Sequence, residues 1–222
     1  MNAGTERITV AGPAGELECA VDRPASAAAE AAGVQGLALV CHPHPLHGGT
    51  MDNKVVQTLA RAMVQAGWTT VRFNFRGVGR SQGVWDAGVG EIDDACAVLD
   101  ALRPPRMPLV LAGFSFGAYV ASQVGTRLAA GAAAGETKPS ALRAATHMVL
   151  VGPAVQNFEV AAVPAESVVI HGEQDDVVPL GAVLDWARPL GVPIVVVPGA
   201  GHFFHGQLPL LKRLAALPGP AK

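Results

Sequence analysis

Charge is scarce in this sequence. Asp, Glu, Lys and Arg supply 15% of its 222 residues, the net charge is −2, and no basic block occurs. A chain without a positive stripe has no electrostatic hold on nucleic acid or on an anionic membrane surface, so neither is expected as a partner. No apolar run reaches the length of a membrane span, and the opening MNAGTERITV has no apolar core of secretory-leader length. Cysteine is nearly missing as well. Cys19, Cys41 and Cys96 are odd in number, widely spaced and without a CxxC pair. That argues against a disulfide framework and points to buried free thiols in a reducing compartment, the cytoplasm. Apolar residues are what the chain has in quantity. They make up 50% of it, enough for a large core and too many for a disordered chain, so one domain over residues 1–222 is expected.

Short β-branched runs alternate with longer Ala- and Leu-rich stretches, the pattern of a mostly parallel sheet covered by helices. Eight strands are predicted, at RITVA, ELECAVD, GLALVCH, TTVRFNF, PLVLAGF, THMVLVG, SVVIHG and PIVVVPG. Several are apolar throughout, as strands buried on both faces must be. Helices are predicted at DNKVVQTLARAMVQAG, EIDDACAVLDALR, GAYVASQVGTRLAAG, LGAVLDWARPL and QLPLLKRLAAL. The first carries Val55, Val56, Leu59, Ala60 and Met63 at helical spacing and stops at Gly67. No helix separates the first two strands, so the sheet is expected to start antiparallel. Two Ala/Gly-rich stretches, ASAAAEAAG and AAGAAAGETKPSALRAA, fall between elements and read as loops or helix-end extensions.

The most informative stretch is GFSFG at positions 113–117, with the strand PLVLA before it and the helix AYVASQV after it. Chance supplies about 0.08 Gly-x-Ser-x-Gly matches in a chain of this composition. A strand that turns into a helix without a loop forces a strained backbone on the apex residue, here Ser115. Glycines two residues to either side remove the Cβ atoms that would collide there. The apex hydroxyl then stands clear of the sheet, and the N–H groups of the new helix point towards it.

A serine hydroxyl is a poor nucleophile unless a base takes its proton and an acid orients the base. In this architecture the order along the chain is Ser, acid, His, each partner following a later strand. EQDDVVP follows SVVIHG and supplies Asp175, with Asp176 and Glu173 as competitors; AGHFFHG follows PIVVVPG and supplies His202, with His205 as competitor. His171 and His147 lie in or at the ends of strands and read as core or edge histidines. An oxyanion hole needs two backbone donors. Phe116, directly after the serine, is one. The other belongs in the loop CHPHPLHGGTMDNK, where Pro43 and Pro45 have no N–H; His44 and Leu46 remain, and position favours His44.

The same loop places His42, His44 and His47 in an HxHxxH cluster near a strand end, which leaves a metal-dependent hydrolase as an alternative. Metallo-hydrolases with a comparable motif usually carry Asp before the last His, where this chain has Leu46. A non-catalytic binding protein on the same scaffold is a second alternative, against which the complete set of triad residues argues. A dinucleotide fingerprint fails on spacing, since Gly77, Gly79 and Gly83 give GxGxxxG with no helix opening at once. Glu91, Asp93 and Asp94 read as first-turn charges that favour a helix dipole, and Asp52 and Asn53 as helix-start residues.

Together, CHPHPLHGGTMDNKVV, VRFNFRGVGRSQG, GFSFG, HGEQDDVVP and GAGHFFHG resemble the α/β-hydrolase superfamily, and within it the small lidless bacterial members related to dienelactone hydrolase. The resemblance covers nearly all of the chain from residue 36 onward. It implies an α/β-hydrolase fold with a mostly parallel, about eight-stranded sheet and helices on both faces. It further implies a carboxylesterase-like activity on a small-molecule ester with no cofactor and no metal, through an acyl-serine on Ser115. Arg76 and Ser81 are then expected to shape the loop beside the site. The nucleophile of dienelactone hydrolase is cysteine, so its lactone substrate does not transfer to a chain with Ser115. Between VLVGPAV and SVVIHG lie only the eleven residues QNFEVAAVPAE, too few for a helical lid. An open site for small or partly polar acyl groups is expected.

Overall fold

The computed structural model describes residues 4–24, 35–133, 145 and 147–216. Eight strands form one sheet: β1 (Glu6–Gly12), β2 (Gly15–Asp22), β3 (Leu37–Cys41), β4 (Thr69–Phe73), β5 (Leu109–Phe114), β6 (His147–Val151), β7 (Val168–Gly172) and β8 (Ile194–Val197). Their order is β1-β2-β4-β3-β5-β6-β7-β8. β2 runs antiparallel to both β1 and β4, and every later pairing is parallel. All eight predicted strands are present, and the start is antiparallel as expected. The helices are α1 (Lys54–Gln65), α2 (Val89–Leu102), α3 (Phe116–Ala133), α4 (Leu180–Ala187) and α5 (Leu208–Leu214).

The alternation of side chains along each strand explains the two layers. Leu37, Leu39, Leu111 and Val169 face one side, where they pack with Val98 and Leu99 of α2, Val120 and Val124 of α3, and Val183 of α4. Ala38, Val40, Val110, Ala112 and Ile170 face the other, against Val55, Leu59 and Met63 of α1 and Leu211 of α5. A strand with both faces covered has no use for polar residues, hence the apolar runs in the sequence. Helix α1 begins where Asn53 Oδ1 accepts the Val55 N–H at 2.8 Å, an N-cap as expected.

Several charged residues have other partners than their positions suggest. Asp94 is not a solvated first-turn charge; it is fully buried and takes the Arg76 guanidinium on both oxygens, Nε at 3.0 Å and Nη2 at 2.7 Å. Glu91 is buried too and accepts the Gly88 and Asp86 N–H groups at 2.8 and 3.0 Å. Asp52 is tied to Arg7 at 2.9 Å and to the buried Arg72 at 3.0 Å. The partners of Asp94 and Asp52 lie far along the chain, which local spacing cannot reveal, whereas Glu91 is the first-turn acid expected and holds N–H groups at the start of its own helix. Ser81 does hold its loop in shape, donating to Asn74 O at 2.7 Å and accepting from the Glu18 N–H at 2.9 Å. The first Ala/Gly-rich stretch lies outside the described residues; the start of the second extends α3 to Ala133.

Candidate active site

The chain leaves β3 for β4 on one side, whereas beyond β5 it continues to β6 on the other. At such a switch the loops at the carboxyl ends of neighbouring parallel strands diverge and leave a crevice. The loop after β3 and the turn after β5 meet there.

Only Ser115 separates β5 from α3. Its φ is +55°, in the left-handed region that a side chain rarely adopts. The turn is held by the Ser115 N–H donating to Val151 O at 2.9 Å and the Ala118 N–H donating to Ser115 O at 3.0 Å. Both flanking glycines are forced by close approach. A Cβ on Gly113 would sit 2.1 Å from Gly117 O, and one on Gly117 would sit 2.2 Å from Cys41 O. The second contact seats the first turn of α3 against the end of β3 and brings the His44 segment beside Phe116, their ring centroids 5.3 Å apart.

Asp175 lies in the turn after β7. Its Oδ1 accepts the Val177 and Val178 N–H groups at 3.0 and 2.7 Å, and its Oδ2 meets His202 Nδ1 at 2.7 Å. Burial alone would raise this carboxyl; the bonds from His202 and Val178 outweigh it and hold the group below the usual carboxylate range. The competitors are elsewhere: Asp176, Glu173 and His205 are all exposed, and Asp175 and His202 are buried. With Nδ1 donating to Asp175, the imidazole presents Nε2 as a proton acceptor. Phe114 supports the ring from beneath at 4.8 Å between centroids. Gly152, with φ +51°, closes the other side: a Cβ there would approach His202 Cε1 to 3.3 Å and Asp175 Oδ2 to 3.6 Å.

A cavity of about 570 Å³ joins these elements; Ser115, Phe116, His44 and His202 all line it. Among the described residues Ser115 and His202 make no direct hydrogen bond with each other, so what they share is the cavity. Such bonds are commonly long before substrate binds. Of the two donor candidates in the β3 loop, Leu46 donates its N–H to His44 Nδ1 at 3.2 Å. The His44 and Phe116 N–H groups have no acceptor among the described residues.

The histidine cluster does not converge. His42 is buried, with Nδ1 donating to Pro43 O at 2.6 Å and Nε2 accepting the Phe75 N–H at 3.1 Å. Burial pushes its imidazole down to about 3. Both ring nitrogens are thus spent on tying the β3 loop to the chain after β4, and neither is left for a metal. Among the described residues no three His, Cys, Asp or Glu side chains come together as ligands. His44 packs as a ring, 4.6 Å from His47 and from Trp85; burial first, then the neighbouring His47, keep it below its ordinary value.

Two contributors had no reading as site residues. Gly152 follows β6 with no motif around it. His171, expected only as a core histidine, is indeed fully buried, and it also flanks the acid: Nε2 donates to Val178 O at 2.9 Å and lies 3.6 Å from Asp175 Oδ2. The pair HG at the end of SVVIHG was the available signal. Residues 156–166 form no helix. Phe158 lines the cavity, whereas Val160 and Val163 are buried and are not among its lining residues.

A family described as serine aminopeptidase S33 matches residues 44–165, which include Ser115 and stop before Asp175. An uncharacterized protein of Rickettsia prowazekii is 35% identical over 184 residues, covering 76% of this chain and 71% of that one. Among solved structures, an α/β serine hydrolase homologue from Coxiella burnetii is 39% identical, with a TM-score of 0.78 and 95% of each chain covered. One from Xanthomonas campestris, described as an α/β serine hydrolase without lid, is 38% identical with a TM-score of 0.78, covering 97% of this chain and 93% of that one.

Proposed function

The chain belongs to the α/β-hydrolase superfamily, and on that premise we propose that it is a serine hydrolase cleaving small carboxylic esters through an acyl-serine intermediate. The observation that carries this reading is that His202, hydrogen-bonded to the buried Asp175, lines the same cavity as Ser115. Ser115 Oγ attacks the ester carbonyl while His202 Nε2 takes its proton. The Asp175 carboxylate steadies the imidazolium that forms, without accepting the proton itself. The Phe116 and His44 N–H groups receive the oxyanion. His202 then protonates the departing alkoxide, and a water, deprotonated by the same nitrogen, releases the acid and restores the serine.

Ester cleavage is favoured over aminopeptidase action by what the cavity lacks. Among the described residues none that lines it is Asp, Glu, Lys or Arg, so a free α-ammonium bound there would lose water without gaining a carboxylate partner. The chemistry calls on no cofactor. Among the described residues no helix is long and apolar enough to cross a membrane, and the three cysteines are free, which suits a small-molecule hydrolase of the cytoplasm.

Replacing Ser115 by Ala tests the proposal. Hydrolysis of p-nitrophenyl acetate should fall by several orders of magnitude with the fold intact, leaving a rate roughly 10³ above water from the oxyanion donors and binding. A variant that keeps a tenth of the turnover would contradict it. Loss of wild-type activity in EDTA, restored by zinc, would favour a metal-dependent hydrolase instead.

A further inference from the structure

Among the described residues no Asp, Glu, Lys or Arg lines the cavity, and the rings of His44, Phe158, His202 and Phe203 lie there beside Asn53, Asn157, Val177 and Val178. His44 and Phe158 belong to one cluster of rings and His202 and Phe203 to another, and Ser115 lines the same cavity; the Phe116 ring is fully buried and packs against the first cluster. The first group is a continuous aromatic cluster: Phe116 to Phe158 is 4.9 Å, His44 to Phe158 is 5.8 Å, and Tyr119 stacks on the outer side of Phe158 at 5.0 Å. Trp85 backs both His44 and Phe116, at 4.6 and 5.1 Å. Phe158 is therefore braced from behind, and Phe203 is braced by His202 at 5.1 Å and by Phe114 at 5.9 Å. Phe158 is half-buried among these rings, whereas Phe203 stays partly exposed at the rim.

We propose that the acyl group this site selects is a neutral one ending in an aromatic ring, an aryl- or arylacetyl-type ester. The inference rests on the serine-hydrolase reading above and adds the substrate class. A site without a lid buries only the first few carbons of a linear acyl chain, and carbons beyond the rim gain nothing. A ring folds six carbons into a short reach and keeps them inside. Its π faces also meet Phe158 and Phe203 in the tilted or stacked geometries that aromatic pairs prefer, an advantage beyond burial alone. A saturated ring of the same shape buries the same area and lacks that advantage. A carboxylated or ammonium-bearing acyl group finds no Asp, Glu, Lys or Arg among the described residues of the lining.

The test compares p-nitrophenyl phenylacetate with p-nitrophenyl cyclohexylacetate, each kcat/KM divided by the ester's own alkaline hydrolysis rate. The two share a leaving group and a carbon skeleton, so the ratio isolates the aromatic character of the ring. The wild type should prefer the phenyl ester by about tenfold. Phe158→Leu, which keeps an apolar wall and removes its π face, should bring the ratio towards one. Phe203→Leu, at a position 44% exposed whose replacement opens no core cavity, should lower it independently of any loss of folding in the first variant. A wild-type ratio below about twofold, or one that neither variant changes, overturns the inference. Fluorophosphonate labelling of Ser115 in the same preparation separates the two failures. A labelled enzyme with a ratio near one loses only the aryl preference; an unlabelled one that turns over neither ester loses both readings.

Discussion

At the scale of single residues, the site is decided by which side chains are buried against a partner. His202 and His205 are three positions apart and alike in type, yet one is buried against Asp175 and the other faces solvent. His202→Ala should therefore cost several orders of magnitude in kcat/KM, and His205→Ala should cost less than about twofold; the reverse outcome would move the base to His205. His171 makes a subtler claim. Its Nε2–H holds Val178 O, whose own N–H holds Asp175, so it positions the acid at one remove. His171→Gln, which can return a donor near Nε2, should keep most of the activity. His171→Leu should lower kcat by roughly ten- to a hundredfold with KM little changed, the cost of a misplaced catalytic group. A change confined to stability would make His171 a packing residue alone.

At the scale of elements, the sequence was most legible where the chain is most constrained. The apolar runs of β3 to β7 became strands because side chains buried on both faces admit few alternatives, and Ser115 was legible because a strand meeting a helix without a loop needs the glycines around it. The long-range partners were not legible. Nothing near Asp94 announces Arg76, eighteen residues away, and nothing around Gly152 announces that a dyad from β7 and β8 folds over it. The resemblance to dienelactone hydrolase likewise rests on motifs alone. Gly117→Ala should test the elbow as an element. Its Cβ would meet backbone, Cys41 O at 2.2 Å, which no side-chain rotation relieves, so a stability loss of about 1–3 kcal/mol in urea unfolding is expected. A neutral substitution would mean that β3 and α3 are less tightly seated. The lidless segment 156–166 predicts a complementary profile across linear p-nitrophenyl esters: kcat/KM should peak at roughly two to six carbons and show no jump at the micelle threshold. A maximum at palmitate, or interfacial activation, would reveal a covering segment.

At the scale of the whole molecule, burial sets a pH window. His42 is pushed from an ordinary 6.5 down to about 3, and burial also lowers His171. Both are held neutral in the fold, so as pH falls below 6.5 the unfolded chain takes up protons that the folded one refuses, and stability is lost. Cys19 runs the other way, raised by burial from 9.0 to about 12; above pH 9 the unfolded thiol ionises first, and stability is lost again. The unfolding free energy from urea titrations should be level between pH 7 and 8.5 and fall on the acid side at up to about 1.4 kcal/mol per pH unit for each buried histidine, the midpoint falling with it. A midpoint unchanged from pH 7 to 5 would mean that these rings are hydrated. The central claim, that Ser115 is an activated nucleophile served by His202 and Asp175, is tested most directly by reaction with a fluorophosphonate followed by peptide mass spectrometry. The account predicts one adduct, on Ser115, abolished in both Ser115→Ala and His202→Ala. An intact chain that stays unlabelled, or an adduct on any other residue, would contradict it.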